Sequence, residues 1–172
     1  MDISNQFSQM AGDQPSGRAR VEADAAARGL DVRIVKRPQA GSLHEAAQLL
    51  GIQPSGIVKT LVVRRHDGDF LFALVPGGRK ISWPKLRRVV GVNKLAMPDA
   101  ALATEATGYE RGTITPLGSR AQWPVYADES IVGAEIAMGS GEHDYSAFVD
   151  ANSLLSAFGA VVADITDPEE SA

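Results

Sequence analysis

Two apolar runs, GIVKTLVV (residues 56–63) and FLFALVP (residues 70–76), flank the polar stretch RRHDGD, in which Asp67-Gly68 sits between them. Asp-Gly between apolar runs signals a β-hairpin, so the two runs are expected to pair as antiparallel strands. The first strand ought to be buried, yet Lys59 stands at its centre. Residues alternate faces along a strand, which groups Lys59 with Ile57, Leu61 and Val63 and sets Val58, Thr60 and Val62 opposite. An ammonium group on an apolar face must be paired, must reach water, or must serve a ligand, because leaving it dry and alone is too costly.

The rest of the chain supplies helices and further strands around that hairpin. A helix is expected over Arg18 to Arg28 with Gly29 as its stop, then a strand from Val32 to Val35. Ser42 and Glu45 form a capping box before AAQLL, and Gly51 ends that helix. Ser82 caps a short helix through Val90, VNKLAM is a strand candidate, and a helix from about Asp99 to Thr107 closes at Gly108. GYERGTITPLGSRAQWP (residues 108–124) holds three glycines and two prolines and reads as a long irregular segment. VYAD, AEIAMG and YSAFV read as strands, Asp150 caps a helix to Phe158, and AVVADI is a final strand. Strands mixed with scattered helices predict a single α+β domain with one curved, mostly antiparallel mixed sheet.

With 172 residues and 44% apolar content, one domain is long enough to bury a proper core. Residues 1–16 read as a disordered leader, 17–166 as the domain and 167–172 as a short acidic tail. The chain has no cysteine, which excludes disulfides and thiolate chemistry and suits a reducing cytoplasm. No apolar run approaches the roughly 20 residues of a membrane span, and no signal-peptide order is seen at the start, so no membrane association is expected.

The net charge of −4 hides an uneven distribution. Between Phe70 and Pro98 lie six basic residues (Arg79, Lys80, Lys85, Arg87, Arg88 and Lys94) and no acidic one, leaving −10 for the remainder. A local basic face on an acidic body follows, either a solvated helix face partnered by acids elsewhere in the fold or a surface for phosphates.

The familiar catalytic signatures fail. PGGRK lacks the spacing of a phosphate-binding P-loop, and MGSGEH lacks that of a serine nucleophile elbow. His44, His66 and His143 have no metal-ligand spacing, so no metal or other cofactor is expected. Three features remain: Lys59, the loop Gly108–Gly118, and the turn Gly139-Ser140-Gly141-Glu142-His143. Glycine-rich backbone turns corners, and it also exposes N–H and C=O groups to a ligand that comes close.

Taken in order, SLHEAAQLLGIQPSGIVKTLVV, FLFALVPGGRKISWPKLRRVVGVNKL, ATGYERGTITPLG, PVYADESI and LLSAFGAVVADI resemble the YbaK/ProX family of aminoacyl-tRNA deacylases. Domains of this family also occur inserted in bacterial prolyl-tRNA synthetases. The most specific pieces are I-V-K-T-L and the G-Y-x-x-G-x-x-x-P-x-G loop, and the resemblance spans essentially residues 17 to 165, as in a free-standing editing protein. It implies hydrolysis of the ester joining a wrong amino acid, such as cysteine or alanine, to the 3′ end of tRNA(Pro).

The family's lysine corresponds to Lys59, which would hold the reacting end of the substrate. Gly112, Thr113, Thr115, Pro116 and Gly118 would shape the pocket, Gly139, Ser140, Gly141 and His143 would also bind substrate, and the turn GSGEHDYS, where this chain departs from several relatives, would put Glu142 and His143 at the rim. Family members lack a protein nucleophile, and a substrate hydroxyl helps activate the water. Arg79, Lys80, Lys85, Arg87 and Arg88 would then meet acceptor-stem phosphates, and prolyl-tRNA synthetase is a possible partner. Two rival readings stand beside this one: a module that binds a tRNA end, nucleotide or synthetase without hydrolysis, and a Schiff-base enzyme using Lys59 as nucleophile.

Overall fold

The computed structural model describes residues 15–170. The predicted leader therefore lies outside the described residues, save for its last two. Its elements in chain order are α1 (Gly17–Ala27), β1 (Arg33–Lys36), α2 (Leu43–Leu50), β2 (Val58–Arg65), β3 (Phe70–Pro76), β4 (Arg79–Ile81), α3 (Trp83–Val90), β5 (Leu95–Ala96), α4 (Ala100–Thr107), β6 (Val125–Asp128), β7 (Glu135–Gly139), β8 (Tyr145–Asp150), α5 (Ala151–Phe158), β9 (Val161–Ala163) and β10 (Thr166–Pro168). Single 3₁₀ turns stand at Pro54–Gly56 and Glu129–Ile131.

The predicted hairpin forms the middle of the molecule. β2 and β3 pair antiparallel with Val58 opposite Pro76 and Arg64 opposite Phe70. β3 then pairs parallel with β6, and β6 parallel with β9, giving a five-stranded mixed sheet in the order β5-β2-β3-β6-β9. The β-structure is divided rather than continuous: β1, β8 and β7 make a separate antiparallel sheet, and β10 with β4 a third. A single parallel bridge, Ile57 to Ala137, joins β2 to β7.

Side-chain alternation explains the two cores. Val58, Val62, Phe72 and Leu74 project to one side of the hairpin, where Val21 of α1, Ala103 of α4 and Leu154 of α5 cover them. Val63, Leu71, Ala73 and Val75 project to the other, under Leu86 of α3 and Ile165. Both faces of the central strands are thus buried, as their nearly continuous apolar sequence requires.

Helix boundaries follow from local chemistry. Ser42, Ser82, Asp99 and Asp150 accept hydrogen bonds from the backbone N–H groups of Glu45, Lys85, Leu102 and Ser153, and Gly51, Gly91, Gly108 and Gly159 end those helices in the left-handed conformation. The capping box at Ser42 is displaced by one residue: the Glu45 carboxylate accepts from Gly41 N–H at 2.9 Å.

The tail expected from Asp167 onward is a partial misreading. Thr166–Pro168 forms β10 against Arg79–Ile81, which draws Asp167 into the fold opposite Lys80. The segment is too short to carry a periodicity of its own. It is recruited by backbone pairing and by Asp128, whose carboxylate accepts from Ile165 N–H at 3.1 Å and Thr166 Oγ1 at 2.9 Å.

Candidate active site

A cavity lies where the two main sheets part. Beyond the Ile57–Ala137 bridge, β2 and β7 diverge, and the cleft between them holds about 630 Å³. Ile57 and residues 58–62 of β2 line it, together with Met138 and Gly139 of β7 and with Met97, Pro98, Ala100 and Ala103. Arg111, Gly112 and Ile114 of the glycine-rich loop also line it, as do Arg37, Ser42, Leu43, Tyr145 and Ser146. This volume is in the range that takes a nucleoside-sized ligand.

Lys59 lines this cavity with its side chain exposed. It forms no ion pair among the described residues, so of the options open to a lysine on an apolar strand it takes the one that reaches an open space. Arg37 and Arg111 line the same cavity, and no carboxylate does. Three cations without a counter-charge favour an anionic ligand. Arg37 is partly fixed, its Nε donating to Ser146 Oγ at 3.1 Å.

The glycine-rich loop divides into a working end and a braced end. Gly112 lines the cavity with φ of +89°, a conformation that side-chain-bearing residues rarely adopt. Thr113, Thr115 and Pro116 are buried, with the Thr113 hydroxyl donating to Glu110 C=O at 2.7 Å and Thr115 Oγ1 accepting from Leu117 N–H at 3.2 Å. Gly118 is held from behind by α1: its N–H donates to Asp24 Oδ2 at 2.8 Å, and its C=O accepts from Arg20 Nη2 at 2.6 Å. Arg20 also donates to Thr107 C=O at 3.2 Å, and Tyr109 Oη donates to Leu117 C=O at 2.8 Å. Burial pushes the Tyr109 hydroxyl up to about 12 from its ordinary 10.

Of the second turn, Gly139 alone reaches the cavity. A side chain there would collide with Ile114 C=O, so the glycine is what lets the loop lie against β7. Ser140 is fully buried, its hydroxyl shared between Glu142 C=O at 2.8 Å and Tyr145 C=O at 3.0 Å. Gly141 and His143 belong to a smaller depression on the far side of the loop, together with Arg20 and Glu110. There His143 Nε2 lies 2.8 Å from Glu110 Oε2, both side chains largely exposed. The structure thus separates His143 from the main cavity.

The five basic residues expected to meet tRNA do not line either depression. Lys85 lies 3.0 Å from both Asp164 and Asp167, and Arg79 donates to Thr166 Oγ1 at 2.6 Å beside Asp128. Lys85 is therefore partnered by Asp164 and Asp167 near the C-terminal end, and Arg79 by Asp128 of β6. Lys80, Arg87 and Arg88 form no ion pair among the described residues.

Sequence reasoning missed Arg37, Arg111 and Thr60 as cavity residues. Arg111 occupies a variable position of the loop motif, and Arg37 lies between β1 and α2 with no motif at all. Only the meeting of three distant segments brings them together.

Residues 37–157 match the sequence profile of the aminoacyl-tRNA editing domain, and the chain belongs to that family. EbsC of Enterococcus faecalis, described as a candidate Cys-tRNA(Pro)/Cys-tRNA(Cys) deacylase, is 30% identical over 129 residues, 74% of this chain and 79% of EbsC. A proline–tRNA ligase of Trichlorobacter lovleyi is 32% identical over 111 residues, 64% of this chain and 19% of the ligase, so the chain spans about a fifth of that relative's length. A solved structure described as a candidate trans-editing enzyme for prolyl tRNA synthetase has a TM-score of 0.81 at 28% identity, over 90% of this chain and 99% of that one.

Proposed function

We propose that this chain is an aminoacyl-tRNA deacylase that receives the acceptor end of a mischarged tRNA in the cleft between β2 and β7 and hydrolyses its ester. The observation that carries this reading is the cleft itself, of about 630 Å³, lined by Lys59, Arg37 and Arg111 and by no carboxylate. Membership of the editing family and the similarity to EbsC make Cys-tRNA(Pro) the first substrate to try, with Ala-tRNA(Pro) next.

The chemistry needs little from the protein. Water attacks the ester carbonyl, negative charge develops on the carbonyl oxygen, and the ribose oxygen leaves with a proton as the amino acid is freed. Lys59 stabilises that developing charge from a fixed position on a sheet strand, and the Gly112 turn brings backbone groups close to the reacting end. A hydroxyl of the substrate positions the water, which suits a cleft without a carboxylate base or a nucleophile. Arg37 and Arg111 hold phosphates of the acceptor end, and Arg87 and Arg88 extend the contact along the stem.

Release of labelled amino acid from a panel including Cys-, Ala- and Pro-tRNA(Pro) tests the proposal. Release from mischarged species and not from Pro-tRNA(Pro) is the expected result. Binding of tRNA without release from any species would replace this reading with that of a binding module.

A further inference from the structure

The smaller depression behind the glycine-rich loop carries charges that the proposed hydrolysis does not use. It holds about 310 Å³ and is bounded by Arg20 of α1, Gly108 and Glu110 of the loop, Arg120, and Glu142 and His143 of the turn after β7. A side chain on Gly17 would strike Gly141 C=O, so α1 and that turn meet backbone to backbone at its edge.

Two guanidinium groups converge there. A β-carbon placed on Gly108 would lie 2.8 Å from Arg20 Nη1 and 2.9 Å from Arg120 Nε, so these nitrogens are no more than about 6 Å apart. Like charges at that separation repel, and an anion set between them removes the cost. Arg20 is fixed by the carbonyls of Thr107, Gly108 and Gly118 and by the Tyr109 ring beneath it, and the carbonyl dipoles offset part of its charge. Arg120 is fixed only through its backbone, whose N–H donates to Thr107 C=O at 3.0 Å. Its side chain is exposed and has neither a hydrogen bond nor an ion pair among the described residues.

The carboxylates of the depression already have cations beside them. Glu142 Oε2 lies 3.7 Å from Arg18 Nε, and Glu110 Oε2 lies 2.8 Å from His143 Nε2. The charges left over are the two arginines, so the depression complements an anion. A pair of planar donor forks matches the oxygens of a phosphate better than it matches a spherical ion. We propose that Arg20 and Arg120 form a phosphate-binding site on the α1 side of the glycine-rich loop, separate from the cleft between β2 and β7. Arg111 and Gly112 of the same loop line that cleft, so a phosphate held here bears on the chain that borders the candidate active site. The chemistry is that of phosphate oxygens, whether of a free phosphate or of an RNA backbone, and it does not depend on the editing reading.

Free phosphate is attracted to the cations of the cleft as well, so the test needs a local signal. Amide NMR of the intact protein, titrated with sodium phosphate at an ionic strength held constant with chloride, reads Gly108, Arg120 and Gly141 directly. Their signals are expected to move along one saturating curve. Arg120→Gln is expected to weaken that binding at least about tenfold, as loss of a charge-assisted hydrogen bond implies. Arg120→Lys keeps the charge and should recover part of the affinity, and Arg37→Gln, in the cleft, should leave the curve where it is. Signals that do not move, or that titrate alike in the parent and in Arg120→Gln, overturn the site.

The source of the phosphate is read with unacylated tRNA(Pro). A salt dependence of tRNA affinity lower by about one unit of slope in Arg120→Gln assigns the site to the RNA backbone. An unchanged slope beside a saturating phosphate curve assigns it to a free phosphate. Neither measurement reads deacylation, so loss of the site would leave the editing reading intact, and loss of the editing reading would leave the site.

Discussion

At the scale of single residues, Lys59 and Tyr109 show how burial and function divide within one site. Lys59 was legible in the sequence because a charge at the centre of an apolar strand demands an explanation, and the cavity provides it. Tyr109 was visible only as part of the loop motif. Its structural work, bracing Leu117 C=O from a fully buried position, depends on packing that no local pattern encodes. Because folding raises its hydroxyl from 10 to about 12, the folded state favours the protonated form. That contribution is present in full below pH 10 and is lost as pH rises towards 12, amounting to at most about 3 kcal/mol. Tyr109→Phe is accordingly expected to be less stable than the parent by about 1 kcal/mol at pH 8, for want of one hydrogen bond. The gap in urea unfolding should close and then reverse between pH 10 and 12, and a gap constant across that window would contradict the burial argument.

At the scale of elements, the loop Gly108–Gly118 is positioned by α1, which precedes the segment matching the editing domain. Arg20 and Asp24 reach Thr107, Gly108 and Gly118 from that helix, and Arg20 also lies 4.6 Å over the Tyr109 ring. Arg20→Ala should cost about 2–3 kcal/mol through the loss of charge-assisted bonds to carbonyls. It should also lower the rate of ester hydrolysis at saturating substrate, since Arg111 and Gly112 ride on the same loop. Full activity in an Arg20→Ala protein shown to be folded would mean that the loop holds its own shape. Elements themselves were largely legible, because serine and aspartate caps and glycine stops state helix ends in the local sequence. The division of the sheet was not: β7 and β2 carry the same kind of apolar alternation whether they pair along their length or touch at one bridge.

At the scale of the whole molecule, charge segregates as the sequence indicated, but its use differs by place. Part of the basic segment closes ion pairs with Asp128, Asp164 and Asp167, and the cleft carries its own cations from three separate segments. Net charge and clustering in sequence offered the first as one of two readings and could not reveal the second, which exists only once β1, β2 and the loop meet. Replacing Arg37 and Arg111 by glutamine is expected to weaken tRNA binding and to reduce the salt dependence of the affinity by about one unit of slope for each phosphate left without its cation. Neutralising Arg87 and Arg88 should weaken binding too, without changing the hydrolytic rate at saturation. An unaltered salt slope in both variants would place the tRNA on another surface.

The most direct measurement is the single-turnover rate of amino acid release from Cys-tRNA(Pro), with the parent protein and a folded Lys59→Ala variant compared at saturating protein. Loss of the one cation of β2 that lines the cleft should lower that rate by about 10²-fold or more, in line with removal of a preorganised group that stabilises an oxyanion. Equal rates in the two proteins would show that Lys59 takes no part in the chemistry and would contradict its assignment to the reacting end of the cleft.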